Sequence, residues 1–108
     1  MVSILDKMGP LVSVNMIVYN GDKFILDSIQ SILDQTYSNF ELIIVNDGST
    51  DTTLSKINSF NDERINLVSY DENKGITFAR NLALKSSIGE YIAILDADDI
   101  SLPNRLKV

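Results

Sequence analysis

The chain has 108 residues, 44% of them hydrophobic and 22% charged, enough for one globular domain with a core of its own. Nine Lys and Arg against fifteen Asp and Glu leave a net charge of −6, which argues against nucleic-acid binding, since that draws on clustered basic residues. Cys and His are both absent, so disulfides, thiolates, an imidazole base and His/Cys zinc sites are excluded, and any metal must be held by oxygen.

Residues 1–10 show no clear period, end in Gly9-Pro10, and read as a leader segment. Residues 11–18 look like a first strand, broken by Tyr19-Asn20-Gly21-Asp22, where Asp22 is placed to cap a helix. Ile25, Ile29, Ile32 and Leu33 recur at helical spacing and predict a helix up to about Gln35. Residues 41–45 form a second buried strand, closed by Asn46-Asp47-Gly48-Ser49. Asp51 then caps a second helix with core positions Leu54, Ile57 and Phe60. Residues 65–70 are a third strand and 71–75 a polar loop. A third helix over 76–86 stops near Gly89, and an apolar run with the composition of a fully buried strand leads into Asp96-Ala97-Asp98-Asp99. Ser101, Pro103 and the residues after them look like the start of another helix. No apolar run approaches a bilayer span, the start lacks the features of a signal peptide, and the absence of Cys suits the cytoplasm.

Strand and helix therefore alternate, which predicts an α/β domain with an open, mainly parallel sheet and flanking helices. Ligands of such sheets bind beyond the carboxyl ends of the strands, so the loops at 19–22, 46–51, 71–75 and 96–99 should converge on one edge. The acidic cluster is the most telling feature. Carboxylates this close repel one another, and a hard cation such as Mn²⁺ or Mg²⁺ relieves the repulsion; a solvated acidic turn is the alternative. Val18-Tyr19-Asn20 can stack on or hydrogen-bond a nucleoside, or Tyr19 can be an ordinary half-buried residue. Asp47 can accept hydrogen bonds from a base or sugar, or simply belong to an Asp-Gly turn. Lys74 and Arg80 can meet a phosphate, or pair with nearby acids.

Taken in order, these pieces resemble the amino-terminal, nucleotide-binding half of a family 2 glycosyltransferase with the GT-A fold. The resemblance rests on Val12-Ser13-Val14 through Val18-Tyr19-Asn20, on Gln35-Thr36-Tyr37, and on Val45-Asn46-Asp47-Gly48-Ser49-Thr50-Asp51. It continues in Asn73-Lys74-Gly75 with Ala79-Arg80-Asn81, and in Gly89-Glu90-Tyr91 through Asp96-Ala97-Asp98-Asp99. It implies inverting transfer of a sugar from a nucleotide-sugar donor, a UDP-sugar above all, to a saccharide or lipid-linked acceptor in cell-surface polysaccharide or glycoconjugate synthesis. Tyr19 and Asp47 would contact the nucleoside, with Val18, Asn20, Lys74 and Arg80 beside them. Asp96 and Asp98 would form the D-x-D element that meets the ribose and a Mn²⁺ or Mg²⁺ ion. On this pattern, residues 11–108 are a GT-A domain truncated after the D-x-D element. The general base would lie beyond Val108, the fragment alone would be inactive or weakly active, and the full-length protein would work in the cytoplasm or at the inner face of the membrane. A nucleotidyltransferase would need a glycine-rich basic loop after the first strand, and a receiver-type signalling domain an acidic pocket there. Tyr19-Asn20-Gly21-Asp22 supplies neither.

Overall fold

Strand and helix alternate through residues 9–96, the part of the chain that the computed structural model describes. The order is β1 (Val12–Val18), α1 (Ile25–Leu33), β2 (Phe40–Asp47), α2 (Thr53–Asn58), β3 (Ile65–Tyr70), α3 (Ile76–Ser86) and β4 (Tyr91–Asp96). The strands form one parallel sheet in the order β3-β2-β1-β4. Residues 1–8 and 97–108 lie outside the described part, and with them Asp98, Asp99 and the expected start of a fourth helix.

Side chains alternate across a strand, so each strand sends half its residues to each face of the sheet. On one face Val12, Val14, Met16 and Val18 of β1 and Leu42 and Ile44 of β2 meet Ile25, Ile29 and Ile32 of α1 and Ile57 of α2 in the main core. Ile25, Ile29 and Ile32 lie on one stripe of α1, as their spacing predicts. On the other face Ile43 and Val45 pack against Ala79 and Ala83 of α3, with Ile17, Val68 and Tyr70 around them. The small alanines let α3 approach the sheet closely.

Several expectations are corrected. The first helix stops at Leu33, where the Asp34 N–H donates to the Gln30 carbonyl (3.0 Å) and the Gln35 N–H to the Ile32 carbonyl (3.1 Å). Asp22 does not cap that helix; its carboxylate accepts from the Thr52 hydroxyl (3.1 Å) and its carbonyl accepts from Lys56 Nζ (2.5 Å), so it faces α2 instead. The second strand runs on through Asn46 and Asp47, because both continue to pair with β3, opposite Ser69 and Tyr70. Leu54 is exposed, whereas Ile57 is buried as expected. The acidic strand is not fully buried: Tyr91, Ile92 and Ile94 are exposed, and Leu95 alone reaches the core as a buried side chain. Among the described residues β4 pairs with β1 only, and α3 packs mainly over β2 and β1, so the outer face of β4 lacks cover.

Candidate functional site

Strand order fixes where a ligand can sit. The chain runs outward from β1 through β2 to β3 and then crosses back to place β4 on the other flank of β1. The crevice of such a sheet opens at this reversal, beyond the carboxyl ends of β1 and β4. Tyr19 and Asn20 leave β1 there, and Asp96 ends β4 there. Register places Asp96 beside Ile17, and Ile17 beside Val45, two residues before Asp47. Ile17, Val45, Asp47 and Asp96 thus share the α3 face. Asp47 and Asp96 stand two strand spacings apart, about 10 Å across the sheet.

Asp47 is the most elaborately held side chain of this edge, only 3% exposed. Its Oδ1 accepts from the Tyr70 hydroxyl (2.7 Å) and the Lys74 N–H (2.8 Å), and its Oδ2 accepts from the Gly75 N–H (3.1 Å). Its carbonyl accepts from Asn73 Nδ2 at 3.2 Å. The carboxylate therefore pins the loop between β3 and α3 just ahead of the helix N-terminus, where a negative charge is also favoured by the helix dipole. An ionised carboxylate has about four acceptor positions. Three are filled among the described residues, which leaves one acceptor position on Oδ2. Burial pushes the Tyr70 hydroxyl well above its ordinary pKa of 10.0, and its hydrogen bond to Asp47 and the carboxylate charge add to the shift. The hydroxyl stays a donor at any physiological pH.

Gly48 shows how tightly the two loops meet. Its φ is +70°, and a Cβ there would collide with the Asn73 backbone nitrogen and sit 2.5 Å from the Glu72 carbonyl carbon. The loop after β1 is laced to the loop after β2 in the same way. The Asn20 N–H donates to Ser49 Oγ (2.9 Å), and Asn20 Oδ1 accepts from the Thr50 N–H (2.8 Å). Asn20 adopts φ 52°, a left-handed conformation that Asn tolerates. The Gly21 N–H donates to Thr53 Oγ1 (2.9 Å). Asp51 anchors the start of α2, accepting from the Thr53 N–H (2.9 Å) and hydroxyl (2.5 Å). Desolvation alone would raise its pKa, but the hydrogen bonds from Thr53 and from the Asp22 N–H hold it below the usual carboxylate range.

The expected site residues fall into three groups. Tyr19 (50% exposed) and Asp96 are open to solvent at the edge, and Asp47 lies beneath it. Val18 is 2% exposed and its side chain packs in the main core, and Asn20 holds the loops together through Oδ1. Lys74 and Arg80 are exposed, and neither forms an ion pair among the described residues, where Arg64–Asp62 is the one such pair. Lys74 Nζ lies 5.3 Å from the centre of the Phe78 ring, and Arg80 lines a small cleft with Asn15, Ile17 and Ile94. The Asp98 expectation lies outside the described residues, and among those residues no three Asp or Glu side chains form a metal-binding group. Tyr70 went unnoticed in the sequence, although an aromatic hydroxyl at a strand end, one strand from an acid, is a recognisable signal.

An open parallel sheet with flanking helices, carrying acidic and aromatic groups at its switch point, defines an α/β domain of the GT-A type. The sequence model described as Glycosyl transferase family 2 matches residues 13–108, and the chain belongs to that family. It is 46% identical over 98 residues to the Escherichia coli UDP-Glc:alpha-D-GlcNAc-diphosphoundecaprenol beta-1,3-glucosyltransferase WfgD, covering 91% of this chain and 39% of that protein. It is likewise 36% identical over 102 residues to glycosyltransferase GlyG of Streptococcus pneumoniae, covering 93% of this chain and 34% of that one. Among solved structures, Staphylococcus aureus TarS 1-349 in complex with UDP-GlcNAc superposes with a TM-score of 0.83 at 32% identity, over 89% of this chain and 29% of that one. The mannosyltransferase PcManGT of Pyrobaculum calidifontis, in complex with GDP-Man and Mn²⁺, gives 0.76 at 33% identity, over 82% and 28%. The chain thus spans well under half the length of these relatives.

Proposed function

We propose that this chain forms the donor-binding part of an inverting glycosyltransferase that uses a nucleotide-diphosphate sugar, a UDP-sugar in the first instance. The observation that carries this is the pairing of Asp47 and Asp96 on one face of the carboxyl edge, with the switch-point crevice between them. A base offering an N–H fits the open acceptor position of Asp47, and Tyr19 offers it an exposed ring. The ribose and diphosphate then extend toward Asp96. Lys74 and Arg80, unpaired with acids among the described residues, offer positive charge on the α3 side.

The donor chemistry suits a hard divalent cation. Asp96 presents an exposed carboxylate, and the chain offers oxygen ligands with no His or Cys. Asp96 and Asp98 would hold Mn²⁺ or Mg²⁺, which supplies charge neutralisation for a departing nucleoside diphosphate. The residues of the chain bind and orient the nucleotide. A saccharide or lipid-linked acceptor, and with it a role in cell-surface polysaccharide synthesis, accords with the action of the E. coli relative on alpha-D-GlcNAc-diphosphoundecaprenol. No helix among the described residues is long and apolar enough to cross a membrane.

Thermal stabilisation by UDP, CTP and acetyl phosphate, each with and without Mn²⁺, tests this directly. UDP should raise Tm, and Mn²⁺ should enlarge the increase. Stabilisation by acetyl phosphate alone would contradict it.

A further inference from the structure

A second polar cluster lies at the amino-terminal end of the α3 face, away from the carboxyl edge. Ser13 on β1 and Glu41 on β2 are register partners. Ser13 Oγ donates to Glu41 Oε2 (2.5 Å) and accepts from the Gly89 N–H (2.8 Å), and the same Oε2 accepts from the Ile88 N–H (2.8 Å). The Ser87 hydroxyl lies 3.0 Å from Asn15 Oδ1, and the Glu90 N–H donates to the Leu11 carbonyl at 2.8 Å. The turn between α3 and β4 is thus tied residue by residue to β1 and β2.

β4 needs such a tie. It pairs with one strand among the described residues, Leu95 is its one buried side chain, and Ile92 (45% exposed) and Ile94 (55% exposed) add little to fix its register. A one-residue slip would turn Asp96 to the α1/α2 face, and a two-residue slip would move it about 7 Å along the strand. Gly89 adds to the tie. A Cβ at that position would lie 2.6 Å from the Ser13 nitrogen and 2.8 Å from the Leu11 carbonyl oxygen. Ile88 and Glu90 carry a Cβ, so a shifted register is penalised there as long as the bonds to Ser13 and Glu41 hold the turn against β1.

We propose that Glu41 and Ser13 are positioning residues that set the register of β4 and so deliver Asp96 to the donor site. This rests on the assignment of Asp96 to donor binding, and the experiment separates the two. Three variants of the full chain are compared: Glu41→Ala, Glu41→Gln and Asp96→Asn. Gln keeps an acceptor oxygen where Oε2 stands, whereas Ala removes it. Amide hydrogen exchange reads the register, and calorimetric titration with UDP, with and without Mn²⁺, reads the site.

Glu41→Ala should speed exchange of the β4 amides about tenfold relative to those of β2 and β3, the loss of one hydrogen bond to a charged acceptor. It should also remove most of the Mn²⁺-dependent gain in UDP affinity. Glu41→Gln should restore both. Exchange raised evenly over the sheet, Gln no better than Ala, or a wild-type Mn²⁺ gain in Glu41→Ala would overturn the proposal. Wild-type binding by Asp96→Asn, together with fast β4 exchange in Glu41→Ala, would overturn the donor-site assignment and leave the register tie supported.

Discussion

Replacing Tyr70 with Phe removes one oxygen and tests whether Asp47 is held as its geometry indicates. The lost bond is the 2.7 Å contact to Asp47 Oδ1, which keeps the Lys74 N–H as its other partner. Hydrogen bonds to charged groups contribute about 1.5–3 kcal/mol, and the surviving partner places this one at the low end, ~1.5 kcal/mol. For a domain of this size that corresponds to roughly 6 °C in Tm at neutral pH. The pH dependence supplies a second, sharper expectation. The folded-state pKa of Tyr70 lies above its ordinary 10.0, because burial and Asp47 both disfavour the phenolate. The folded state therefore binds the proton more tightly than the unfolded state. The stability this contributes is complete below the unfolded pKa and is lost as pH rises toward the folded one. At about pH 11 the wild type should have lost up to ~1.4 kcal/mol that Tyr70→Phe never had, so the gap between them narrows. Urea titrations at both pH values measure it. An unchanged gap, or no destabilisation at neutral pH, would refute the account of Tyr70 and Asp47.

Gly48→Ala should cost about 1–3 kcal/mol from its left-handed backbone alone, and more from collision with the loop at 72–73; denaturant titration gives the cost, and amide shifts at Asn73 and Lys74 locate it. Asp47→Asn should weaken UDP binding by about tenfold or more, since an amide cannot satisfy both the Tyr70 and Lys74 donors and the Gly75 N–H; calorimetry decides it. Asp62 is held low chiefly by its hydrogen bond from Arg64, against the opposing effect of partial burial. Its stabilising contribution is present above the unfolded pKa and lost as pH falls through the folded one, so Asp62→Asn should converge on wild-type stability as the pH falls below that folded pKa. Acid titrations of the pair by circular dichroism check this.

How far the fold was legible depended on whether local pattern or tertiary pairing set each boundary. The strand over 65–70 and the helix over 76–86 match the periodicity, because each is bounded by its own turn residues. The second strand outran its predicted end because Asn46 and Asp47 find partners on β3, which no local turn signal reveals. Asp22 has the local signature of a cap, yet its carboxylate is taken by Thr52, thirty positions away, and its carbonyl by Lys56. The apolar run before Asp96 announced a strand correctly. Its exposure depends on which elements cover β4, a property of the assembled sheet. Ser13, Asn15 and Glu41 alternate with apolar neighbours in plain view, yet their polar face acquires meaning only when the α3–β4 turn arrives above it. At the site, Tyr19, Asp47 and Asp96 were legible as polar residues at strand ends. The burial of Val18 and the loop-tying role of Asn20 were not.

Calorimetric titration of UDP into the wild type and Asp96→Asn, each with and without Mn²⁺, tests most directly whether this edge binds a nucleotide-sugar donor through carboxylates at the switch point. Binding by the wild type should tighten with Mn²⁺, and the gain should vanish in Asp96→Asn while the fold persists. Failure of the wild type to bind UDP, or an equal Mn²⁺ gain in both proteins, would contradict it.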